Sequence, residues 1–123
     1  MQTPNRKFVY NNVIKVSRGD MTLLRAGKKK CTIRMGNASV ATPQISMSDG
    51  RTSVLVQITD VDSSRTFEQL TDEDAQAEGF STRDELISDL RHYYPRAQPT
   101  DPVTVIRFEL VSQPPSLFDK DQF

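Results

Sequence analysis

The stretch Gly27-Lys28-Lys29-Lys30-Cys31-Thr32-Ile33-Arg34 decides how the chain folds. Gly27 can end a helix in a left-handed conformation, and the residues after it suit the start of a strand. In an extended chain Lys30, Thr32 and Arg34 share one face, while Cys31 and Ile33 point the other way. Lys29 precedes this alternation, at the bend, within reach of the strand's mouth. A cationic strand face with one hydroxyl suits a phosphate, a carboxylate or a polar nucleoside. On charge alone the plainer reading is a solvated turn, because basic runs are weak motifs.

Upstream, residues 7–16 hold Phe8, Val9, Tyr10, Val13, Ile14 and Val16, which predicts a first strand kinked at Asn11-Asn12. Ser17 and Asp20 form a capping-box pattern ahead of Met21 and Leu24, so residues 17–26 read as a short helix closed by Gly27. Downstream, residues 30–35 are the second strand, broken at Gly36-Asn37. Residues 36–43 are small and polar, end at Pro43, and predict a loop bordering a site. The β-rich runs 44–48 and 52–60 flank Asp49-Gly50, a hairpin signal.

Thr71 and Asp74 repeat the capping pattern at the head of an acidic helical stretch that Gly79 ends. Ser81 or Thr82 then caps a second helix running to about Tyr94. Its apolar stripe is Leu86, Ile87, Leu90, Tyr93 and Tyr94, and Pro95 stops it. Residues 103–111 alternate as a last strand, placed centrally in the sheet. Residues 1–6 are a polar lead-in. Residues 112–123 carry Pro114-Pro115 and then Leu117, Phe118 and Phe123. They form a tail expected to be poorly ordered or to dock on a protein partner or on its own domain.

Composition narrows the function. With 123 residues the chain is expected to form one domain that buries roughly two-thirds of its unfolded surface. Lys plus Arg and Asp plus Glu both number 16, so a general polyanion binder, which would be basic, is disfavoured. Any nucleic-acid contact must come from a local patch. A single cysteine excludes an internal disulfide and fits a reducing, cytoplasmic compartment. The cations flanking Cys31 could lower its thiol pKa, but a small core-facing residue is the plainer role. No apolar run reaches the ~18 residues of a membrane span, and no secretion signal opens the chain. Lone His92 and lone Cys31 do not make a familiar zinc site. No metal or cofactor is expected. Together the elements predict an α+β fold: a small, strongly bent mixed β-barrel of about five to six strands, with two or three short helices plugging its ends.

Three blocks of this sequence resemble one family. Gly27-x-Lys29-x-x-Thr32-x-Arg34 is similar to the signature of ASCH domains, relatives of the PUA-like β-barrels. Residues 67–80, with Leu70-Thr71 through Glu78, look like that family's second block. Tyr94-Pro95 and the strand from Val103 resemble its ending. The likeness spans residues 7–111 and implies a PUA-like barrel. In length and motif order the chain resembles small bacterial N(4)-acetylcytidine amidohydrolases. That likeness implies a catalytic set of Lys29, Thr32 and Glu78 acting on the amide of an acylated pyrimidine nucleoside. Other ASCH proteins imply the alternatives: a non-catalytic module for RNA or single-stranded nucleic acid, or a metal-independent ribonuclease.

The chemistry can be built from these residues. Amide hydrolysis needs a nucleophile, a proton acceptor and an oxyanion partner. Thr32 offers a hydroxyl. Lys29 accepts its proton only if burial or neighbouring cations (Lys28, Lys30 and Arg34) lower its pKa by about 2–3 units. Glu78 then serves as acid or orienting group for the leaving amine. Arg34 or an N–H of the 36–43 loop holds the oxyanion or a substrate oxygen. Lys28 and Lys30 contribute charge toward a substrate, and Tyr94, Tyr93 or Phe80 offers a stacking face. The structural alternatives are a Lys29–Glu78 ion pair that only closes the barrel end, and tyrosines that only pack. Two departures from the family stand out. Thr42-Pro43-Gln44-Ile45-Ser46 occupies the place of a Gly-Asp turn, and Lys30 replaces a smaller residue, favouring a phosphate-bearing ligand.

Overall fold

The computed structural model describes residues 7–111. The lead-in and the tail expected to meet a partner lie outside the described residues. Seven strands and three α-helices follow in the order β1 (Lys7–Tyr10), β2 (Val13–Lys15), α1 (Arg18–Arg25), β3 (Cys31–Met35), β4 (Asn37–Val40), β5 (Gln44–Ser48), β6 (Ser53–Thr66), α2 (Asp72–Glu78), α3 (Arg83–Tyr93) and β7 (Pro102–Leu110). A short 3-10 turn, Phe67–Gln69, leads from β6 toward α2. The α+β class is as expected.

The strands form a five-stranded sheet, β2-β5-β6-β7-β3, and a separate two-stranded ribbon, β1-β4. The five-stranded sheet is not closed on itself as the expected barrel would be; its edge strands β2 and β3 adjoin the ribbon strands β1 and β4 in the chain. The reason lies in two bends. At Asn11-Asn12 the first strand leaves β4 and goes on to pair, again in parallel, with β5. At Gly36, with φ of 94°, the chain leaves β7 and pairs with β1. Thr104 of β7 holds this second bend. Its hydroxyl donates to the Gly36 carbonyl (2.8 Å) and accepts from the Ala38 N–H (2.9 Å).

The loop expected over residues 36–43 is thus half strand, because Asn37–Val40 finds a partner in β1 that lies far away in sequence. The β5–β6 hairpin forms with Ser48 opposite Ser53. Its connection is four residues rather than a two-residue turn. Gly50 alone takes a positive φ, and the Asp49 carboxylate accepts from the N–H groups of Arg51 and Thr52, each at 2.9 Å. Strand β6 runs on to Thr66, bent by register shifts at 58–60 and 62–65.

The two predicted capping boxes are in place, Ser17 with Asp20 and Thr71 with Asp74; of the two candidates for the third helix it is Thr82, paired with Glu85, that caps α3. Ile14, Met21, Leu24, Ile45, Met47, Val54, Val56 and Phe108 join α1 to the sheet. Cys31, Ile33, Phe67, Leu70, Ala75, Leu86, Leu90, Val103 and Val105 join α2 and α3 to β3 and β7. Cys31 is a core residue. Burial, then Glu78, pushes its thiol up to about 12, so it is no nucleophile at neutral pH.

Asp74, 1% exposed, anchors α2 to the sheet. Its carboxylate takes a bidentate pair from Arg65 at 2.9 and 2.7 Å, and a longer contact from Arg107 at 3.4 Å. It also accepts from the N–H and hydroxyl of Thr71. Burial pushes the Asp74 carboxyl up, but Arg65 and Thr71 outweigh it and hold the carboxyl below the usual aspartate range. A depressed carboxylate stabilises the fold above its unfolded value, about pH 4, and that contribution fades as pH falls through the native value. Asp74→Ala is therefore expected to cost about 2–3 kcal/mol in urea denaturation near neutral pH. The gap to wild type should narrow below about pH 4. A gap that did not change with pH would exclude this ionic account.

Candidate active site

The chain between α1 and β3 is pinned from both sides. The N–H groups of Lys28 and Lys29 donate to the Leu23 carbonyl, and the Lys30 N–H donates to Ala77 of α2. Gly27 has φ of 73°. This tight passage sends three consecutive lysines to different places. Lys29 is turned inward and is only 3% exposed, while Lys28 and Lys30 stay in solvent.

Glu78, at the end of α2, meets Lys29 there. Its Oε1 pairs with Lys29 Nζ, and its Oε2 accepts the Ile33 N–H at 2.7 Å. Strand β3 is a sheet edge, so it has backbone N–H groups that no strand covers. One of them orients Glu78. The next residue, Gly79, has φ of 104°, and a Cβ there would sit 2.8 Å from Leu23 of α1. Any other residue at 79 would be strained by this φ, and its Cβ would force the Leu23 side chain to move. Asp20 adds a second carboxylate, its Oδ1 3.8 Å from Lys29 Nζ.

A cavity of about 310 Å³ opens onto this pair. Lys29, Thr32, Arg34 and Glu78 line it, together with Lys15–Ser17, Asp20, Asp89 and Tyr93 of α3, and Tyr94 just beyond that helix. Thr32 is 2% exposed. Its Oγ1 accepts from Arg34 Nε at 3.1 Å, which leaves its own proton to point elsewhere. Arg34 is held in turn by Nη2 donating to the Lys15 carbonyl at 2.8 Å, and its guanidinium lies 5.8 Å from the Tyr10 ring centre.

Burial pushes the Glu78 carboxyl above the ordinary glutamate range, and Lys29 and the Ile33 N–H only partly oppose it. Burial, then Asp20, also pushes up Asp89, against Lys29 and His92.

The structure brings together five of the seven residues named from sequence: Lys29, Thr32, Glu78, Arg34 and Tyr94. It does not bring in Lys28 or Lys30, which line a separate depression with Gln76, Ala77 and Phe80. Two of the three cations expected to repel the Lys29 proton, Lys28 and Lys30, are therefore absent from its side; Arg34 shares the cavity, and the carboxylates of Glu78 and Asp20 stand beside the amine. None of residues 36–43 lines the cavity, so the expected loop N–H is not an oxyanion partner there. Sequence reasoning missed Asp89 and the wall role of Asp20. Asp20 announced itself only as a cap. Asp89 lies three residues after Leu86 and four before Tyr93, at the edge of the apolar stripe, and that spacing was its available signal.

No protein-family model and no curated protein matches the chain. Solved structures do. The ASCH domain from Lactobacillus crispatus JV V101 superposes with a TM-score of 0.62 at 13% identity, covering 86% of this chain and 80% of that one. Protein EF3133 from Enterococcus faecalis V583 superposes with a TM-score of 0.60 at 18% identity, covering 81% of this chain and 76% of that one. The chain has the fold of an ASCH domain, as the resemblance of its sequence blocks implied. Among the described residues no helix is long and apolar enough to cross a membrane.

Removing one member of a buried ion pair leaves the other uncompensated. Glu78→Leu is expected to lower stability by about 3–5 kcal/mol, and Lys29→Met added to it should recover at least about half of the loss. Urea denaturation of wild type and both variants measures this. If the single variant proved as stable as wild type, the pair would not be buried as described.

Proposed function

We propose that the cavity hydrolyses the exocyclic amide of an acylated pyrimidine nucleoside of the N(4)-acetylcytidine type. One observation carries the reading: the Thr32 hydroxyl and the buried Lys29–Glu78 pair line a single cavity sized for one small molecule. A buried ionic pair is costly to fold, and such pairs at a cavity are candidates for chemistry rather than stability.

The steps use the groups that line the cavity. Thr32 Oγ attacks the acyl carbon while its proton passes to the Lys29–Glu78 pair. Arg34, already bonded to Thr32 Oγ1, stabilises the negative charge that develops as the carbonyl becomes tetrahedral. The carbon–nitrogen bond breaks and the pair returns the proton to the departing amine. Water then cleaves the Thr32 ester, releasing the carboxylic acid and restoring the hydroxyl. Tyr93 or Tyr94 supplies a face for the ring. No metal is needed by this scheme. The same pocket could instead hold a base of RNA without cutting anything, the reading that Lys28 and Lys30 on the neighbouring surface would favour.

The test is turnover of N(4)-acetylcytidine by wild type and by Thr32→Ala, with short RNA in parallel. Thr32→Ala is expected to lower kcat by about a thousandfold or more while the fold is retained. Wild-type protein that leaves every acylated nucleoside intact would exclude the hydrolase. Cleavage of the RNA would put a ribonuclease in its place, and RNA binding without cleavage a recognition module.

A further inference from the structure

Three carboxylates face the cavity, and two are already engaged. Both oxygens of Glu78 are taken, by Lys29 and by the Ile33 N–H. Asp20 accepts the Ser17 N–H with Oδ2 and turns Oδ1 toward Lys29. Asp89 is half-buried in the wall, and no hydrogen bond or ion pair ties it to another described residue. The charged groups that act on it are Asp20, Lys29 and His92. A carboxylate placed beside a cavity with both oxygens unspent is an acceptor that awaits a donor.

Its position on α3 says what kind of donor. Asp89 and Tyr93 are four residues apart, one helical turn, so they stand side by side on the same face. Both line the cavity, and Tyr93 is 58% exposed there and free to be covered. A ring and a carboxylate one turn apart can hold a flat heterocycle by its face and by its edge together.

We propose that Asp89 selects the base: its carboxylate accepts the exocyclic N–H of a 4-aminopyrimidine whose ring lies against Tyr93. The inference rests on the reading of the cavity as a pyrimidine-nucleoside site, and it adds the group that tells one pyrimidine from another. An ionised carboxylate can only accept. A 4-amino group offers it a hydrogen, as cytosine does to Asp or Glu in nucleic-acid recognition. A 4-oxo pyrimidine presents an oxygen at the same place and is repelled. An asparagine amide can donate or accept, so it would lose the distinction.

Equilibrium titration with cytidine and with uridine tests this in wild type, Asp89→Asn and Asp89→Ala, with circular dichroism to confirm folding. Wild type is expected to bind cytidine about tenfold or more tighter than uridine. Asp89→Asn, which keeps the shape, should bring the two within about threefold, and Asp89→Ala should do the same by weakening cytidine alone. A cytidine preference that survives in both variants overturns the proposal, as does a wild type with no preference. Turnover of N(4)-acetylcytidine by the same wild-type sample separates the two ideas. Turnover with an unchanged preference in the variants sinks Asp89 and leaves the hydrolase standing; no turnover and no nucleoside binding sinks both.

Discussion

The pairing of Lys29 with Glu78 is the constraint on which the rest of the site depends. Two full charges taken out of water are tolerated only when each finds a partner and the remaining lone pairs are satisfied. Here the conditions are met by three separate elements. The turn after α1 supplies the amine, the end of α2 supplies the carboxylate, and the uncovered edge of β3 supplies the N–H that holds the second oxygen. None of these can shift alone without stranding a charge. The pair therefore ties together the places from which Thr32 and the cavity wall project.

The pair does not stand alone: a cavity opens onto it. Thr32 projects from the same edge strand, and its oxygen is already bonded to Arg34, itself anchored on the Lys15 carbonyl. Arg34 occupies one of the two lone pairs of the hydroxyl, which leaves the second lone pair and the proton to meet another partner. Helix α3 closes the cavity with Asp89 and two tyrosines, held in place by Leu86 and Leu90 in the core beneath. Helix α2 is fixed by a second ionic cluster, buried Asp74 with the partly exposed Arg65 and Arg107, which reaches from the helix start to β6 and β7. One end of a seven-residue helix is thus bonded to the sheet and the other, through Glu78, to Lys29.

Much of the local structure was legible because its causes are local. Capping boxes act over three residues, so α1 and α2 begin where the patterns at Ser17 and Thr71 put them, and α3 begins after Thr82, one of the two candidates the sequence offered. Gly27 and Gly79 take the positive φ that their places demanded. The grouping of Lys29, Thr32 and Glu78 was legible for another reason: three blocks together resembled a known arrangement, and the fold agrees with it. What failed had non-local causes. Residues 37–40 looked like loop because their strand partner, β1, lies about thirty residues back. Lys28 and Lys30 looked like neighbours of Lys29 because they adjoin it in the chain, yet the turn throws them outward.

By itself the sequence determined the helices, the hairpin, the core-facing strand residues and the residue types of the site, since each follows from spacing, caps and alternation within a short window. Only the tertiary structure decided that the sheet stays open beside a separate ribbon, that carboxylates rather than lysines surround Lys29, and that Asp89 stands unengaged in the wall. Those facts depend on which distant segments pack together. Burial and charge proximity, unlike periodicity, are properties of the assembled chain and not of any stretch of it.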